Sequence, residues 1–104
     1  MSNRAYHINI SYIFNEEKYS EMLDPQVKIS VLKNIISLSR GINFKSYNIY
    51  YNKEIIPSLY NQDIRTIIGL DEKQPVFYVF KKNSILIYFI NNRVAFQSAQ
   101  TEHC

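Results

Sequence analysis

The side chains through which this chain could do acid–base, nucleophilic or metal chemistry are few, and their spacing gathers none of them into a site. His7 falls in a stretch with strand-like alternation and His103 near the far end of the sequence, too far apart to define a site between them. Glu102, His103 and Cys104 are adjacent and metal-capable, but a zinc site draws about four ligands, usually in two Cys/His groups, and no second group is present. Glu16-Glu17 and Asp71-Glu72 are acidic pairs in turn-like sequence, where carboxylates are solvated. Gly41 and Gly69 are isolated, and neither opens a phosphate-cradling loop. The expectation is a protein that is not an enzyme, with no catalytic residue, no metal and no cofactor.

Composition bounds what such a chain can be. Its 104 residues give room for one domain and one core. Apolar residues make up 46% and charged residues 20%, the balance of a globular protein. Twelve Lys and Arg against nine Asp and Glu leave a formal charge of +3, with the two signs interspersed along the chain as on a solvated surface. A nucleic-acid site would cluster cations on one face between aromatic residues, and Lys81-Lys82 is the only adjacent basic pair. The single cysteine, Cys104, has no internal disulfide partner. The N-terminal MSNRAYHINI lacks the apolar core of a signal peptide. The expected address is intracellular, either the cytoplasm or an organelle such as the mitochondrion.

The elements that must position any working surface follow from periodicity. YHINISYIF alternates, with Ile8, Ile10 and Tyr12 on one side and His7, Asn9 and Ser11 on the other. A turn at NEEK leads to a weaker strand over 19–23, in which Glu21 takes an inward position. Asp24-Pro25 reads as a cap and first helical residue, predicting a helix from Pro25 to Arg40 closed by Gly41. Ile29, Leu32, Ile35 and Ile36 form its core stripe; Val27, Val31 and Leu38 lie roughly opposite, where a surface helix is usually polar. SYNIYY is a third strand with Tyr47, Ile49 and Tyr51 on one face and Asn48 and Tyr50 on the other. Asn52-Lys53 is a tight turn, and Glu54 to Ile56 a short strand stopped by Pro57. Ile64, Ile67, Ile68 and Leu70 make a short helical plug, and Pro75 opens the strand VFYVF.

The series formed by the helix, Gly41-Ile42, NIYYNKEII and GLDEKQPVFYVFKK resembles the ubiquitin-like β-grasp family over about residues 6 to 82. The resemblance implies an α+β fold, a mixed sheet of four to five strands in the order 2-1-5-3-4 packed on one helix. It divides the chain into a domain at 1–82 and an extension at 83–104. Receptor-binding members use an apolar patch on the outer sheet face, and its strand positions carry over to Tyr50, Phe77 and Val79. Those residues face outward when Val76 and Tyr78 face inward; a slip of one residue exchanges the two faces. Tyr50 stands where the patch has a central aliphatic residue, which argues against ordinary ubiquitin receptors.

Conjugated modifiers end their last strand in a flexible tail with a terminal Gly-Gly, whereas here Lys81-Lys82-Asn83 runs into SILIYFINNRVAF. The apolar run 85–90, containing Ile85 and Ile87, is far short of the roughly 20 residues that span a bilayer. KKNS is turn-like, but strand order leaves no place for this run beside VFYVF. It must reach an open edge, a face of the domain or a partner. The expected function is therefore a non-enzymatic protein-interaction module, a small accessory subunit of a larger assembly. The candidate contact residues are Tyr50, Phe77, Val79, Val27, Val31, Leu38, Ile85 and Ile87. Two other readings stay open: a basic RNA-associated subunit, and a free adaptor for ubiquitin-receptor proteins.

Overall fold

The computed structural model describes residues 7–82, 84–88 and 95–98. Strand β1 (Ile8–Phe14) turns at Asn15-Glu16 into β2 (Glu17–Leu23), and the two pair antiparallel with Tyr12 opposite Tyr19. Both turn residues have positive φ, 52° and 68°, the backbone twist that a two-residue hairpin needs. Helix α1 (Ile29–Arg40) crosses to β3 (Tyr47–Tyr51), and a second two-residue turn at Asn52-Lys53, again with positive φ at both positions, leads to β4 (Glu54–Ile55). The short helix α2 (Ile64–Ile68) precedes β5 (Val76–Lys81). The sheet order is β2-β1-β5-β3-β4, with β5 parallel to β1 and antiparallel to β3. This is the β-grasp order expected from the sequence.

The core lies between this sheet and α1. Ile10, Tyr12 and Phe14 from β1, Ile49 from β3, and Phe77 and Val79 from β5 meet Ile29, Leu32 and Ile36 of the helix, with Ile56, Ile64 and Ile68 closing one end. Complete burial of an aliphatic or aromatic side chain stabilises by about 1.5–3 kcal/mol, so this cluster dominates the folding energy. Gly41 closes α1 in the left-handed region (φ 70°), where its N–H bonds the Ser37 carbonyl at 2.9 Å.

The helix starts later than the sequence suggests. Asp24 does cap, but it caps a turn: its Oδ1 accepts the Gln26 N–H at 2.9 Å and its carbonyl accepts the Val27 N–H at 3.1 Å. The carbonyls of Pro25 and Val27 then accept the N–H groups of Arg65 and Ile64 from α2, and the Ile29 N–H bonds the Gln62 carbonyl. Residues 25–28 are therefore tied sideways to the α2 region rather than wound into α1, and the Lys28–Asp63 ion pair at 3.4 Å spans the same seam. Leu70 is a second correction: it is 85% exposed, outside the plug formed by Ile64 and Ile68.

Beyond β5 the chain forms a separate two-stranded sheet, β6 (Ser84–Tyr88) with β7 (Ala95–Ser98). The run after KKNS thus pairs with a later segment and not with β5, as strand order requires. No described helix is long and apolar enough to cross a membrane.

Candidate protein-interaction surface

The two faces of the sheet are set by register. Ile49 sits opposite Val79, and Tyr51 opposite Phe77. These four point toward α1, with Phe77 0% and Val79 2% exposed. Phe77 and Val79 are therefore core residues and not part of an outer patch. VFYVF is apolar at every position, so it carries no period of its own, and its phase comes from its neighbours. The Ser11 N–H bonds the Pro75 carbonyl at 3.0 Å, which starts the β1–β5 ladder with Val76 beside Ser11 and places Phe77 beside the inward Tyr12.

The outward residues of β5 are accordingly Val76, Tyr78 and Phe80. A cross-strand row on this face runs Ile55, Tyr50, Tyr78, Ile13, Lys18 from β4 to β2. Ile55 is 47% exposed, and Tyr50, Tyr78 and Ile13 are half-buried. Phe80 lies against both tyrosines, its ring 5.9 Å from that of Tyr50 and 6.2 Å from that of Tyr78, and is itself 7% exposed. Ser11 and Ser20, linked at 3.0 Å, give the face a polar margin beside Val76. At the β4 edge, past Ile55, lies a groove of about 310 Å³ of mixed polarity, whose walls include Tyr51, Glu54, Ile55, Pro57, Tyr60 and Thr66.

Of the residues expected to bind, Tyr50 lies on this face. Val31 and Leu38 lie elsewhere, on the solvent side of α1, with Leu38 86% exposed. Val27 precedes the helix and packs partly buried against the core, so it belongs to no helix face. Ile85 and Ile87 take backbone positions in β6; their side chains, and the rest of the run at 89–90, lie outside the described residues. Glu102, His103 and Cys104 lie outside them as well. Ile13, Ile55, Tyr78 and Phe80 were not among the expected contact residues. The signal that finds them is cross-strand pairing: once Ile49 is inward, its partner on β5 must be inward too.

The arrangement joins apolar area with the rings of Tyr50, Tyr78 and Phe80. No family model matches the sequence, and no curated protein matches it. Solved structures do resemble it. The ubiquitin-like domain of yeast Ddi1 superposes with a TM-score of 0.63 at 16% identity, covering 79% of this chain and 94% of that one. The ubiquitin-like domain of Arabidopsis thaliana protein At2g32350 gives 0.64 at 17% identity, covering 78% and 83%. The C-terminal ubiquitin-like domain of human 2'-5'-oligoadenylate synthetase-like protein gives 0.60 at 17% identity, covering 79% and 91%. The chain has the ubiquitin-like β-grasp fold.

Proposed function

We propose that this ubiquitin-like domain is a non-catalytic protein-binding module, a small accessory subunit that engages a larger assembly through its outer sheet face. The observation that carries this reading is the apolar row Ile55, Tyr50, Tyr78 and Ile13, which crosses four neighbouring strands on the side opposite α1. A sheet with one face on a core usually turns polar residues to the other, and contiguous apolar surface rimmed by polar residues marks interaction sites. Tyrosine suits such a surface because its ring supplies large apolar area.

The sheet face also frames the competing reading. Tyr50 and Tyr78 are aromatic platforms of the sort on which bases stack, but the cation in their cross-strand row is Lys18, at the far strand. An RNA site needs several cations along the path of the backbone.

Affinity isolation from the native source, comparing the wild-type chain with Tyr50→Ala, Ile55→Asp and the helix variant Leu38→Asp, tests the proposal. A defined protein retained by wild type and Leu38→Asp but lost with Tyr50→Ala and Ile55→Asp is the expected result. Retention by every variant, or loss only with Leu38→Asp, sinks the assignment of this face. Material released by ribonuclease, with binding that weakens steeply as salt rises, replaces it with the RNA reading.

A further inference from the structure

On another side of the domain, a groove of about 340 Å³ opens between α1, the residues after it and the loop that follows Pro57. Its walls include Ser30, Lys33, Asn43, Phe44, Tyr60 and Asn61, and no carboxylate takes part in its lining. Lys33 is half-buried, with its Nζ 5.7 Å from the centre of the Phe44 ring. No ion pair joins it to a carboxylate among the described residues; the Lys28–Asp63 pair lies elsewhere. Burial first, and the charge of Lys82 second, push the Lys33 amine below its ordinary value. Its charged form thus lacks the compensation that a buried cation usually receives from a paired anion.

Three asparagines, Asn34, Asn43 and Asn61, line the groove beside Ser30, Ser37 and Ser58, and two of them are held by backbone hydrogen bonds. Asn61 Oδ1 accepts the Ser30 N–H at 3.2 Å, and Asn43 Oδ1 accepts the Lys45 N–H at 2.8 Å. Each amide oxygen is oriented by a backbone N–H, which fixes the plane of the side chain and leaves its NH₂ group, with two donors, unengaged by those bonds. An amine and two amide donors, with no acidic neighbour and an aromatic wall, favour a ligand that accepts hydrogen bonds and carries negative charge.

We infer that the groove bounded by Lys33, Asn43 and Asn61 is a binding site for an oxyanion, a phosphate or carboxylate group presented by a ligand or partner. Lys33 supplies the charge, and Asn43 and Asn61 supply amide donors. Phe44, its ring centre 5.7 Å from the Lys33 Nζ, gives that amine an apolar wall, and a charge-assisted hydrogen bond to an anion is stronger than a neutral one. The site is separate from the outer sheet face and stands whether or not that face binds protein.

The test uses the full 104-residue chain labelled with ¹⁵N, titrated with sodium phosphate and with sodium acetate, each against sodium chloride at equal ionic strength. The expected result is saturable shifts at Lys33 and at the side-chain amides of Asn43 and Asn61 with at least one of the two anions. Saturation by phosphate alone assigns a phosphoryl group, and saturation by acetate as well assigns a carboxylate. Asn61→Asp keeps the oxygen that accepts the Ser30 N–H but replaces the donors with a negative charge, so it should weaken binding by about tenfold or more while the fold persists. Lys33→Gln should do likewise, and Lys33→Arg should retain binding. Shifts no larger than those from chloride, or undiminished saturation in both Asn61→Asp and Lys33→Gln, overturn the inference.

Discussion

Ile49 lies directly opposite Val79 with both side chains buried against α1, while one step along the same ladder Tyr50 lies opposite Tyr78 with both facing away from the helix. That alternation divides β5 into residues packed against α1 and residues on the opposite face of the sheet. Phe77→Ala should cost about 3–5 kcal/mol, a large share of the roughly 5–15 kcal/mol by which a domain is stable. Tyr78→Ala should cost less than half as much, because its ring is half-buried on the other face. Urea unfolding of the two variants checks the assignment, and equal losses would contradict it.

Arg40, at the end of α1, spreads its guanidinium 4.0 Å above the ring of Tyr19, which in turn stacks 5.4 Å from Tyr12. The planar group covers an aromatic face in a way that a lysine ammonium does not reproduce. Arg40→Lys should destabilise by about 1 kcal/mol, and a double-mutant cycle with Tyr19→Leu should show coupling of similar size. Additivity of the two changes would mean that the stack contributes nothing.

Burial raises the phenols of Tyr12 and Tyr51 above their ordinary value of 10.0, with the charges of Glu21 and Glu72 adding in the same direction and Arg40 opposing at Tyr12. A raised phenol is stabilising while protonated. That contribution is complete below pH 10.0 and is lost as pH climbs through the folded-state values. Lys33 runs the other way: its lowered value means that its share of the stability improves as pH rises toward 10.5. Chemical denaturation at pH 9 and pH 11 should therefore show a smaller loss in Tyr51→Phe than in wild type. An identical loss in both would exclude Tyr51 as a source.

Two glycines have open space where a side chain would grow, so any penalty for filling them comes from the backbone alone. Gly41, at φ 70° and ψ 38°, sits in the left-handed well, and Gly41→Ala should cost about 1–2 kcal/mol. Gly69, at φ 95° and ψ 169°, occupies a region reached essentially by glycine alone, and its replacement by alanine should cost up to about 3 kcal/mol. Its carbonyl also accepts from Arg65 Nη1, which bonds the Leu70 and Glu72 carbonyls as well. Thermal melts that rank Gly69→Ala as less stable than Gly41→Ala would support this account, and the reverse order would contradict it.

The fold was largely legible in the sequence because its punctuation is chemical. Asn52-Lys53, Gly41 and Pro57 each mark a boundary with a residue suited to that backbone, and β1 and β3 alternate strictly enough to show their inner faces. The face of β5 was not legible, since five apolar residues in succession leave phase to pairing across the sheet. The start of α1 misled for a related reason: Asp24-Pro25 has the chemistry of a cap, but the Pro25 and Val27 carbonyls have distant partners at Arg65 and Ile64 that no local pattern announces. The Lys33 groove joins residues near 30, 43 and 60, and only the folded chain brings them together.

β5 lies at the centre of the sheet yet is the last of its five strands to be synthesised. Until residues 76–81 leave the ribosome, β1 and β3 have no strand between them, and Ile10, Tyr12 and Ile49 lack the Phe77 and Val79 that complete their layer. The two early hairpins can form locally, but joining them waits for the closure of long loops. A nascent chain stalled before Phe80 would therefore display its core residues to solvent and to chaperones. The two halves of the sheet are joined only through that strand, which pairs with β1 on one side and β3 on the other.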